Sequence, residues 1–322
     1  MPIQISGGVV LSGPVLLDPT GGSSPSYSFQ GSNYGYSSGG ESPGGLSNVI
    51  QKFSFSSDGN ASDVGDLTVA RQKIASQSSS DNGYASGGEA SPGYINNIDK
   101  FPFSSDSNAT DMGDLTVIRG WSGGQSSSTS GYTSGGVSPY TNVIDKFPFS
   151  SDSNASDVGD LTEAIGLTSG QTSSTNGYIS GGKPSSSDAI NVIQKFSFSS
   201  DGNTTDVGDL SVPMMQLAGQ SSSENGYVTG GYNSNPGPAQ GESNRIQKFP
   251  FASDSNASHT ADILSARRYL TGTSSTASGY ASGGAPNFNL IEKFSFSSDS
   301  DSTDVGDLLD EWVQAGSEGQ QY

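Results

Sequence analysis

The chain has 322 residues, of which 30% are hydrophobic, with 45 glycines and no cysteine. Thirteen basic against 32 acidic residues give a formal charge of −19, the wrong sign for a surface that grips phosphate, so direct nucleic-acid binding is not expected. Disulfides, thiolate metal sites and cysteine nucleophiles are excluded by composition, and membrane insertion is not expected because no run approaches 18 apolar residues and Met1 to Gly8 shows no cleavable signal pattern.

Residues 1–26 read as an N-terminal arm. Within it Ile3, Ile5, Val9, Leu11, Val15 and Leu17 are spaced by Gly, Ser and Pro. An extended arm of this kind can add a strand to another subunit's sheet edge, which makes these six side chains candidate partner-binding residues. The alternative folds the arm back over its own ring.

One phrase then returns six times. Gly-Tyr-x-(Ser/Thr)-Gly-Gly recurs at Tyr36, Tyr84, Tyr132, Tyr178, Tyr227 and Tyr280, in steps of 48, 48, 46, 49 and 53 residues. That is the period of a propeller blade. Each copy continues with Ile-x-Lys-Phe-x-Phe and, except in the fifth, with Asp-(Val/Met)-Gly-Asp-Leu. Such phasing is foreign to a disordered polar chain, whatever the modest hydrophobic content.

In the second copy, Ser76 to Ser80 reads as a small-residue strand and Asp81-Asn82-Gly83 as a turn. Tyr84 to Gly88 reads as the next strand. Asn97 to Phe103 alternates, placing Phe101 and Phe103 on one side and Ile98 with the Lys100 stem on the other. An Asx- and hydroxyl-rich turn leads into a fourth strand from Asp111 to Val117. Pro102, Pro148 and Pro250 lie in third strands, so a bulge or the end of ladder pairing is expected there. The fold expected is all-β: a six-bladed β-propeller of four-stranded antiparallel blades over residues 27–313, with a C-terminal tail at 314–322. It closes either by packing of the sixth blade on the first or by a strand exchanged between the termini.

Tyr-x-x-Gly-Gly, the aromatic third strand and the Asp/Asn/Thr turn make the repeat resemble kelch-type propellers over about residues 27–313. The fourth-strand tryptophan of that family is replaced by Val-Gly-Asp-Leu. The longer phrase Lys-Phe-Pro-Phe-Ser-Ser-Asp-x-Asn-Ala-(Ser/Thr)-Asp-Val-Gly-Asp-Leu-Thr is similar to repeat proteins of marine bacteriophages, notably those of cyanobacteria. The resemblance implies a noncatalytic virion component of head, tail or fibre. Its partners would be other virion proteins, met through the arm, and a glycan or receptor on the host surface.

Several constellations bear on chemistry. Asp58, Asn60, Asp63 and Asp66 recur in four other copies, as Asp106, Asn108, Asp111 and Asp114 in the second, while the fifth has His259 in the third place. Oxygens at alternating loop positions suit calcium, but the late bidentate carboxylate or tight glycine turn is not at the required spacing, and Asx-turn formation explains the same residues. No cofactor is expected, with calcium at these hairpins as the one alternative. Asn-x-(Ser/Thr) triplets at Asn60, Asn108, Asn154, Asn203 and Asn256 fall in the same turns. Gly177 to Lys183 imitates part of a phosphate loop, but Pro184 stands where Ser or Thr should follow. A single histidine, His259, cannot build a multi-histidine site, so an enzyme is not expected.

The second-to-third-strand loops differ from copy to copy while the scaffold repeats. Variable loops on a constant frame are natural recognition elements. The longest, Tyr232 to Ser243, offers Tyr232, Asn233 and Asn235 as candidate contacts. The rival functional expectation is a soluble carbohydrate-binding propeller, in one version dependent on calcium.

Overall fold

The structure, a computed structural model, describes residues 31–286, 288–309 and 320–321. Six four-stranded antiparallel sheets form a ring, and the described residues contain no helix. In the second blade the strands run Ala75–Ser78, Asn82–Ser86, Asn97–Pro102 and Thr110–Asp114, from the axis outward. The outer strand is shorter than the sequence suggests, because Leu115 leaves the ladder to begin the link to the next blade.

Each blade is buried on both faces by its neighbours, so the core consists of layers between blades. Phe101 and Phe103 face the preceding blade, where they pack on Tyr36 with ring centroids 5.5 and 5.0 Å away. Ile98 faces the following blade, in a cluster with Tyr84, Leu115 and Phe147. The tyrosine of each copy thus sits on the phenylalanine pair of the next, all the way round to Tyr280 on Phe53 and Phe55 at 5.6 and 4.8 Å. Full burial of one such aromatic contributes about 1.5–3 kcal/mol.

At the axis the inner strands approach so closely that a Cβ on Gly124 would lie 2.2 Å from the Ser76 carbonyl oxygen. Small residues also let four of the inner strands bond along their free edge. The Ser78 amide donates to Ser126 Oγ, Ser126 to Thr172 Oγ1, Thr172 to Ser221 Oγ and Ser221 to Ser274 Oγ, at 2.9–3.2 Å. At the rim, Gly113 adopts a φ of 145° and its Cα lies against the Ser153 backbone of the next blade. The ladder bulges beside it, between Ile98 and Asp99, rather than at the proline. Pro102 marks the end of pairing instead: the ladder to the outer strand stops at Lys100, and Pro102 faces Asn82 at the last rung on its other side.

Closure uses both routes. Besides the Tyr280 layer, Gln320–Gln321 pairs with Tyr34–Ser38 as the inner strand of the first blade, Gln320 opposite Tyr36 and Gln321 opposite Gly35. Gln320 takes the register position held elsewhere by Gln77, Gln125, Gln171 and Gln220. Two residues read from sequence as a C-terminal tail therefore belong to the ring. Where the described chain begins, Gly31 bridges Ser275 just past the inner strand of the sixth blade. Ile3, Ile5, Val9, Leu11, Val15 and Leu17 lie outside the described residues.

Candidate binding site at the axial mouth

The two ends of the ring differ in what their residues are free to do. On the hairpin side, Asp106 pairs with Lys52 of the preceding blade, and Asn108 Oδ1 accepts from the Asp66 amide of that blade at 3.1 Å. Asp111 Oδ1 accepts from the Gly113 amide at 3.0 Å. The same arrangement returns in every copy: Lys100 with Asp152, Lys146 with Asp201, Lys195 with Asp254, Lys248 with Asp299, and Lys293 with Asp58 across the closure. The first three residues of each set considered for calcium thus have protein partners, and among the described residues no three His, Cys, Asp or Glu side chains group as a metal site. His259 Nε2 lies 2.9 Å from Asp262 Oδ1 of its own outer strand.

Under the opposite end, three links carry a wholly buried arginine. Arg71 meets Asp99 at 3.3 Å, Arg119 meets Asp145 at 2.7 Å, and Arg267 meets Glu292. Each guanidinium also donates to a backbone carbonyl: Arg71 to Ala85, Arg119 to Thr133 and Val143, Arg267 to Gly283. Burial lowers all three arginine pKa values, opposed by the facing carboxylates.

Directly above, the links converge on the axis. Lys73, Trp121, Leu167, Gln216 and Tyr269 occupy the same place in five successive links, each with φ between 58° and 64°. Their backbones form a chain around the axis, the Trp121 amide donating to the Lys73 carbonyl, Leu167 to Trp121, Gln216 to Leu167 and Tyr269 to Gln216, at 2.8–3.0 Å. A left-handed conformation costs a side-chain-bearing residue about 1–2 kcal/mol. This chain supplies glycine at many other positive-φ positions, but not at these five.

The five side chains, all half-buried, form the floor of the mouth. Trp121 and Tyr269, from links on opposite sides of the axis, meet with centroids 5.0 Å apart, and Gln216 Nε2 donates to Tyr269 Oη at 2.9 Å. The Lys73 ammonium lies 5.3 Å from the Trp121 centroid and 5.7 Å from Tyr94, and pairs with Glu89 at 2.5 Å. Burial works against that ammonium, but Glu89 and Tyr94 outweigh it and hold its pKa above the ordinary value. Arg268 stacks between Tyr232 and Tyr269, at 5.0 and 5.1 Å, and its Nε is 3.6 Å from Glu242 Oε1, too far for a hydrogen bond.

The Tyr232 to Ser243 loop is a hairpin whose strands Tyr232–Asn233 and Gly241–Glu242 pair. Tyr232 is half-buried and tied by its backbone to Met215. Asn233 is buried, its Oδ1 accepting from the Asn235 amide at 2.9 Å. The exposed tip is instead 236–240. Of the three loop candidates, Tyr232 thus belongs to the wall of the mouth, while Asn233 shapes the turn that carries Asn235.

With the geometry in hand, the molecule is a six-bladed β-propeller with an aromatic and cationic axial mouth. Comparison with protein-family models and with curated proteins finds no match for the chain.

Proposed function

We propose that the protein is a noncatalytic display scaffold, a rigid ring that holds its loop face toward a partner. The observation that carries this reading is the asymmetry between the two ends. Hairpin residues repeat and are spent on blade-to-blade contacts, whereas the residues and loops around the opposite mouth differ in every copy. The setting we propose is a bacteriophage virion, as head, tail or fibre component, on the resemblance of the repeated phrases. The arm would then attach the ring to other virion proteins, and many copies would add avidity toward a host surface.

Purified particles should contain the chain by mass spectrometry, and a variant lacking residues 2–22 should fold yet be missing from them. Normal incorporation of that variant counts against attachment through the arm. The second reading, a carbohydrate-binding propeller, is favoured by one observation, the aromatic and polar side chains gathered at the mouth.

A further inference from the structure

We propose that the axial mouth binds an acidic saccharide, a uronate-bearing glycan, through Lys73, Arg268 and Gln216 over the Trp121–Tyr269 platform. The proposal rests on the reading of the loop face as the presenting face and adds its ligand class.

Charge placement comes first. Of the thirteen basic residues, six lysines bind hairpin aspartates of the next blade and three arginines are in buried pairs. The remaining four are Lys73, Lys183, Arg245 and Arg268, and all lie at the loop end: Lys183 opposite Gly166 of a link, Arg245 at the start of a third strand. In a chain of formal charge −19, the cations not needed to hold blades together are gathered where partners would approach. Glu89 and Glu242 fix the positions of two of them, and an ammonium or guanidinium has further N–H donors to offer.

Unmet hydrogen bonding comes second. Gln72 Oε1, Gln216 Oε1 and Asn235 Oδ1 are buried acceptors without a hydrogen-bond partner among the described residues. Gln72 and Gln216 belong to the links, and Asn235 to the Tyr232 hairpin. A simple anion would satisfy the cations and leave these acceptors unpaired, at a cost. A uronate brings both halves: a carboxylate for Lys73 and Arg268, and hydroxyl donors for the amide oxygens. Its apolar ring face suits the half-exposed aromatic floor. Five side chains kept in a conformation that favours glycine are the third argument, since their chemistry differs from link to link although the backbone does not.

The repeats themselves supply conservative test variants. Glutamine already occupies the Lys73 position at Gln216 and the Arg268 position at Gln72, and leucine occupies the Trp121 position at Leu167. Calorimetric titration with hexagalacturonate should show binding that weakens about tenfold or more, ~1.4 kcal/mol, in each of Lys73→Gln, Arg268→Gln and Trp121→Leu, with melting temperatures unchanged. The methyl-esterified hexamer should bind at least as weakly to the unaltered protein, and a calcium chelator should change nothing. Equal affinity for acid and ester, no binding of the acid at about 1 mM, or insensitivity to all three variants would overturn the proposal. Loss of binding in chelator would move the ligand to another site, and tighter binding of hexa-aspartate would mark an acidic protein partner instead. Particle incorporation is read separately, so a ring that enters particles but ignores the uronate loses its ligand and keeps its display role.

Discussion

Arg71 and Asp99 are each removed from water, a costly state for a lone charge, and among the described residues neither kind is left buried alone. Where the link carries arginine, the third strand of the next blade carries Asp99, Asp145 or Glu292. Where the link carries Ile165 or Met214, that strand carries Gln194 or Gln247. Either residue can accept from the outer end of the preceding blade: Thr68 donates to Asp99, and Thr162 to Gln194. We expect Asp99→Ala to destabilise by about 3–5 kcal/mol in denaturant unfolding, because the guanidinium is stranded. The double variant Arg71→Met with Asp99→Gln, which copies the Met214 and Gln247 arrangement, should recover most of that loss; a double variant as unstable as the single would refute the coupling. At this scale the sequence hides as much as it reveals. The hairpin aspartates repeat and invite a metal reading, yet a third-strand lysine of the preceding blade claims the first of each set. The mouth residues share only a backbone conformation, so lysine, tryptophan, leucine, glutamine and tyrosine align on no chemical pattern. Their one common mark is position, four residues before Gln77, Gln125, Gln171, Gln220 and Thr273.

Strands were far more legible than the site, since tyrosine, isoleucine and phenylalanine each mark a fixed register between blades. A strand exchanged between the termini was one of the two closures expected, but its place was not legible, because it is only two residues long and lies beyond a link with no blade phrase. Its signal was present as Gly319-Gln320, the same pair that forms the middle of the inner strands at Gly124-Gln125, Gly170-Gln171 and Gly219-Gln220. Removing residues 320–322 leaves the Tyr280 layer intact but exposes the free edge of Tyr34–Ser38. A melting temperature lowered by roughly 2–4 °C per kcal/mol lost, together with concentration-dependent self-association in gel filtration, is the expected result. An unchanged melt would mean that aromatic packing alone closes the ring.

For the molecule as a whole, the tyrosine layers set an alkaline limit. Burial raises the pKa of the Tyr84, Tyr132 and Tyr178 hydroxyls, and takes Tyr227 and Tyr280 up to about 12. An unfolded tyrosine titrates near 10, so the folded state holds these protons more tightly. Their contribution is complete below pH ~10 and is lost as the pH rises toward 12. Thermal melts should be level up to about pH 10 and then fall, and Tyr280→Phe should flatten that fall; an alkaline limb as steep in the variant would assign it to other groups. Gly31 gives the ring a further property. It meets Ser275 at the hairpin end of the axis, and Gln321 pairs with Gly35 at that same end. Chain that precedes the ring or follows it is therefore delivered to one pole, and the mouth occupies the other. A tether at either terminus would act as a stalk, standing the propeller upright with its mouth pointing away from whatever it is planted on.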